Sequence, residues 1–106
     1  MQYGVDLTLT GHHHSYQRSC PVVASKCIPP RADGSNAAPV HLVIGNGGAH
    51  YSTDTDPNKP AYMEVVELIH GYLRFHANAT MFAFEAVSGA TGEVFDRARL
   101  VRPGGA

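Results

Sequence analysis

Long apolar runs, an excess of charge of one sign, internal repeats and a dense set of cysteines are all missing from these 106 residues. Each absence removes a class of function. No stretch approaches the roughly 20 apolar residues that a membrane span needs. Met1 to Gly4 has neither the basic start nor the apolar core of a signal peptide. A formal net charge of -1 leaves no basic field for nucleic acid and no polybasic patch for a membrane surface. Cys20 and Cys27 form neither a CxxC pair nor a redox motif, so zinc binding or dithiol catalysis has little support. The length allows one small domain at most, and a strand-and-loop site usually needs a larger sheet around it. The sequence is therefore expected to be part of something longer.

What is present centres on Gly11-His12-His13-His14-Ser15-Tyr16-Gln17-Arg18. Before it, Val5, Leu7 and Leu9 alternate with Asp6, Thr8 and Thr10, which predicts a short strand ending at Gly11 with the histidines on the loop beyond. Sheets of the α/β class place their chemistry at such ends. Residues two apart on an extended or tightly turned backbone point the same way, so His12 and His14 share a direction that His13 does not. Neutral imidazole is the commonest metal ligand. The competing reading, a solvated polar loop or the remnant of a tag, fits less well. The run lies between a strand-like segment and an aromatic-basic one, not at a terminus beside linker residues.

From Ser19 to Ala38 the prolines at 21, 29 and 30 and the turn-like Asp33-Gly34-Ser35-Asn36 predict a long irregular surface connection. Cys20 and Cys27 within it read best as a local disulfide, with two reduced thiols as the alternative. Such a bridge contributes about 2–3 kcal/mol in the chain-entropy model and requires an oxidising compartment. Val40-His41-Leu42-Val43-Ile44 predicts a buried strand, and Gly45-Asn46-Gly47-Gly48 a tight turn that brings His50 and Tyr51 to the same kind of edge. The glycine spacing is not that of a dinucleotide fingerprint. Asp54 and Asp56 sit in a solvated loop rather than a calcium loop.

Tyr62 to Ile69 fits helix and strand equally, and stays open. Gly71–Ala77 and Thr80–Val87, separated by Asn78-Ala79, predict a hairpin. After the Ser88–Gly92 turn, Glu93–Val101 continues it as an antiparallel meander. His76 on that meander reads as a packed or surface histidine. Asn78-Ala79-Thr80 is a glycosylation sequon.

These residues together carry a resemblance. Val5 to Arg18 is similar to the last metal-binding motif of the purple acid phosphatases, a branch of the calcineurin-like metallophosphoesterases, whose pattern is Gly-His-x-His followed by a Tyr-Glu-Arg-like triplet. Cys20-Pro21 through Cys27, Ala38 to Gly48, the Gly71-Tyr72 strand, His76 to Thr80 and Thr91 to Val94 resemble the C-terminal segment of that family. The resemblance runs from about Tyr3 to Val101. It implies the end of an α/β (α+β) metallophosphoesterase sandwich, mostly β here, with a terminal antiparallel meander. Residues 1–50 would close the catalytic domain and residues 51–106 would form the C-terminal β segment.

The resemblance further implies that His12 is a ligand of the divalent metal and His14 of the ferric ion. The centre would be dinuclear, Fe(III) with Zn(II), Mn(II) or Fe(II). His13 falls at the variable position, on the substrate side. His50 and Tyr51 are both candidates for the phosphate contact. Gln17 stands where the family usually has glutamate. The family's aspartate, asparagine, tyrosine and remaining histidine ligands belong to motifs upstream of this sequence, so the chain alone is expected to be inactive. The implied parent is a secreted, extracellular or vacuolar acid phosphatase acting on phosphate monoesters, its signal lying upstream. Its partners would be the phosphate ester and the rest of the catalytic domain, with a homodimer left open. A phosphodiesterase or nucleotide pyrophosphatase on the same scaffold, and a non-catalytic β-rich binding module, are the alternatives.

Overall fold

Alternation and β-branching dictate strands along most of this chain, and its structure, a computed structural model, describes residues 4–50 and 60–102. Among the described residues there are nine strands and no helix: β1 Leu7–Thr10, β2 Tyr16–Ser19, β3 Val22–Val23, β4 Lys26–Cys27, β5 Val40–Ile44, β6 Met63–Glu67, β7 Gly71–Ala77, β8 Met81–Ser88 and β9 Val94–Val101. The expected first strand starts two residues late, since Val5 and Asp6 are exposed and the pairing begins at Leu7.

The apolar β5 occupies the interior of a four-stranded sheet ordered β1-β5-β2-β6. It runs parallel to β1, from Leu7 opposite Val40 to Thr10 opposite Val43, and antiparallel to β2. Val40 and Leu42 of β5 are buried, as a strand paired on both edges and covered on a face should be. The open helix-or-strand question at Tyr62 to Ile69 is decided by pairing. Met63–Glu67 lies antiparallel to β2, with Val66 opposite Gln17 and Glu67 opposite Tyr16. β2 itself escaped sequence reasoning because Tyr16-Gln17-Arg18-Ser19 lacks an apolar alternation.

The expected irregular connection after Ser19 contains a small hairpin, β3 with β4. Its two turn residues, Ala24 and Ser25, have φ of 51° and 65°. Hairpin loops with two positive φ values normally use Asn-Gly, so this composition concealed the turn. The Cys20–Cys27 disulfide is formed and closes the hairpin.

The predicted meander is present as β7-β8-β9, with Arg74 opposite Glu85 and Glu85 opposite Arg97. Asn78 makes its first turn: its Oδ1 accepts hydrogen bonds from the backbone N–H of Thr80 and Met81. Asn78 and Thr80 are exposed there. The meander packs on the four-stranded sheet through a core of Tyr16, Leu42, Phe84 and Ala86, flanked by Leu7, Ile44, Val65, Leu73 and Phe82.

Candidate functional site

Three loops leave one edge of the four-stranded sheet. β1 and β5 are parallel, and β6, twice antiparallel through β2, runs in the same direction. Their C-terminal ends therefore deliver Gly11–Ser15, Gly45–His50 and Leu68–His70 to one place.

The histidine loop is organised from within and from its neighbour. The Ser15 N–H donates to the His13 carbonyl at 2.9 Å, and His13 Nδ1 pairs with the Ser15 hydroxyl at 2.7 Å. Gln17 donates from Nε2 to the same hydroxyl at 3.0 Å. A side chain at Gly45 would run into the backbone oxygens of His13 and Gly11. The β5 loop can lie against the histidine loop only with glycine there.

His14 Nδ1 lies 2.9 Å from the carbonyl oxygen of His50. A carbonyl only accepts, so Nδ1 carries a proton, and in the neutral tautomer with that proton the lone pair is on Nε2. This is the arrangement by which proteins orient metal-ligating histidines. The His14 and His50 rings stand edge to face, 6.0 Å between centroids and 78° between planes. His12 is exposed, and His13 and His14 are half-buried. Among the described residues no three His, Cys, Asp or Glu side chains come together as a metal-binding group. The donor type and the oriented tautomer fit a metal site that takes its other ligands from elsewhere. Tyr51, Asp54 and Asp56 lie outside the described residues.

His70 is a member of this edge that sequence reasoning missed. Its Nε2 donates to the Ala49 carbonyl at 2.8 Å, one residue before the carbonyl that His14 holds. Buried Asn46 ties the same loops, its Nδ2 donating to the Ile69 carbonyl at 2.8 Å and its backbone carbonyl accepting from Gly71 N–H at 2.9 Å. The available signal was position: His70 lies three residues past Glu67, the end of the run Met63–Glu67, and precedes Gly71. It became readable only once that run was assigned to a strand parallel to β5. His76, by contrast, lies exposed on β7.

Residues 38–97 match the family described as iron/zinc purple acid phosphatase-like protein C. The chain belongs to this family. Its fold is also that of part of a solved structure, a purple acid phosphatase from yellow lupin (Lupinus luteus) seeds. That similarity has a TM-score of 0.83 at 25% identity, over 94% of this chain and 18% of the lupin chain. A Danio rerio protein named acid phosphatase type 7 is 34% identical over 107 residues, covering 95% of this chain and 24% of that protein. An Arabidopsis thaliana protein named probable inactive purple acid phosphatase 24 is 30% identical over 105 residues, covering 95% of this chain and 17% of its own length. The chain thus spans between 17% and 24% of these three relatives.

Proposed function

We propose that this chain is the C-terminal part of a dinuclear-metal acid phosphatase that hydrolyses phosphate monoesters, and that it contributes His12 and His14 to the metal pair. The observation that carries the reading is His14, held through Nδ1 by the His50 carbonyl at an edge where three strand ends meet. Residues 1–50 close the catalytic domain, and residues 51–106 form its C-terminal β segment, from which β6 returns to the catalytic sheet.

His12 would serve the divalent metal and His14, through Nε2, the ferric ion. When bound, Fe(III) with Zn(II), Mn(II) or Fe(II) supplies Lewis acidity toward a phosphate ester and lowers the pKa of water at neutral to acidic pH. The chain's own residues do the rest of the positioning. His50 fixes the His14 ring with its carbonyl and offers its imidazole, with Tyr51 beside it in sequence, to the phosphate group. His13, turned to Ser15, is a contact for substrate rather than a ligand. The remaining ligands come from upstream residues of the parent, so the isolated chain should hydrolyse no aryl phosphate. The Cys20–Cys27 bridge and the exposed Asn78-Ala79-Thr80 sequon favour a secreted, extracellular or vacuolar parent, glycosylated at Asn78.

The test is metal analysis and steady-state kinetics on the full-length protein. His12→Ala and His14→Ala should each lose one ion, a different one in each case, and turnover by at least roughly 100-fold. His13→Ala should keep both ions. Loss of metal in His13→Ala, with both ions and normal turnover retained in the other two, would reverse the assignment.

A further inference from the structure

The histidine loop ends in β2, and β2 is tied to the far end of the chain by one carboxylate. Tyr16, 1% exposed, donates its hydroxyl to Asp96 Oδ2 at 2.5 Å. Arg18 donates from Nε to the same oxygen at 2.8 Å and from Nη2 to Oδ1 at 3.2 Å, the fork-to-fork geometry that fixes an arginine in orientation as well as distance. Its third nitrogen, Nη1, reaches Glu64 of β6 at 2.7 Å. Asp96 thus accepts three hydrogen bonds from β2, across about eighty residues of sequence.

The meander is built to present that carboxylate. β9 shifts register between the pairs Ala86 with Asp96 and Val87 with Val94, so Phe95 is the extra residue of a bulge. In a regular strand neighbours face opposite sides. Here Phe95 and Asp96 both reach Tyr16: the Phe95 ring stands edge to face against the phenol at 5.2 Å and 84°, while Asp96 takes its hydroxyl. Ring and hydroxyl of a residue two positions after His14 are therefore both seated by consecutive residues of the terminal meander.

We infer that Asp96 is a positioning residue for the histidine loop: through Tyr16 and Arg18 it clamps the start of β2, and so holds His12–His14 in the shape the metals require. The metal half of this inference rests on the function proposed above; the clamp itself does not. The loop is pinned on one side by the His50 carbonyl and on the other by Tyr16. The meander, which carries no ligand, then acts on the site at a distance. A packing role alone would need the aromatic contact but not a forked carboxylate whose side chain is 8% exposed.

The experiment uses the full-length protein with Asp96→Asn, Tyr16→Phe and, as a control on the outer face of the same meander, Glu85→Gln. Hydrogen exchange on the metal-free protein reads the clamp, and EDTA-driven loss of iron and zinc reads its consequence. Asp96→Asn should speed exchange at the amides of residues 12–16 by about tenfold or more, because local opening no longer breaks a paired, largely dry carboxylate, and leave β8 protected. Metal loss to EDTA should accelerate in step. Tyr16→Phe should do the same more weakly, and it decides by the same criteria if Asp96→Asn does not fold. Glu85→Gln should change neither readout. Wild-type exchange in the loop of the folded Asp96 or Tyr16 variant, or equal acceleration by Glu85→Gln, overturns the clamp. Faster exchange without faster metal loss overturns its role at the metals. If His12→Ala and His14→Ala keep both ions, the metal assignment fails instead, and the exchange measurement still decides the clamp.

Discussion

Two arginine-carboxylate pairs, one on each side of the meander, use the same chemistry for different ends. Arg74 and Glu85 are direct cross-strand neighbours on the outer face, with side chains 53% and 33% exposed. Both arginine nitrogens converge on a single oxygen, at 3.1 and 2.8 Å. Arg18 and Asp96 join different sheets, with side chains 18% and 8% exposed, and meet both oxygens. Water and salt screen the first pair, whose members would sit side by side in any register-true meander. The second has lost most of its water, and Asp96 is the main compensation for the Arg18 charge. Local pairing decorates a strand, whereas long-range pairing joins the sheets.

Removing one member of each pair is the sharpest way to test that difference. Asp96→Ala should cost about 3–5 kcal/mol in urea unfolding, because Arg18 keeps its charge in a largely dry site with only Glu64 to answer it. A loss no larger than that of Glu85→Ala would erase the distinction between the two pairs.

A smaller effect should appear in base. Burial first, and then the hydrogen bond to Asp96, push the Tyr16 hydroxyl well above the ordinary phenol value. The folded state therefore holds a proton that the unfolded chain releases near pH 10. The contribution of Tyr16 is complete below that pH and is lost as pH rises past it. An ultraviolet phenolate titration should find Tyr16 silent until unfolding, and Tyr16→Phe should remove that silent group. A full complement of phenolates from the folded protein would contradict the buried network.

The smallest effect belongs to the exposed pair. The hydrogen bond from Arg74 holds the Glu85 carboxyl below its usual value. Its contribution is fully present above the unfolded glutamate pKa and fades as pH falls through the lower folded one. Glu85→Gln should flatten the acid limb of a stability-pH curve slightly, the more so at low salt, and leave the neutral plateau nearly unchanged. A salt-independent drop at neutral pH would mean that this pair is buried in solution.

How much of this was legible in the sequence follows from the range of each signal. Leu7–Thr10, Val40–Ile44 and the Asn78 hairpin could be read because alternation reports a half-buried strand and Asn reports a turn. The Gly-His-x-His run marked the loop, and the two cysteines marked a bridge that the structure contains. β2 could not be read from its polar residues, nor β6 from an apolar pattern that suits two periods. The hairpin at Ala24-Ser25 lacks the Asn-Gly or Asp-Gly pair that positive-φ hairpin turns normally use.

The sequence by itself determined the strands with a buried face, the turns made by particular side chains, and the donors available for chemistry, because those depend on residues within a few positions of one another. Only the tertiary structure decided that three strand ends share an edge, that His70 and His14 grip neighbouring carbonyls, and that Asp96 reaches Tyr16 and Arg18. Those outcomes depend on which strand edges find each other and which polar groups lose water together. Residues tens of positions apart settle them jointly, so no local pattern could have carried them.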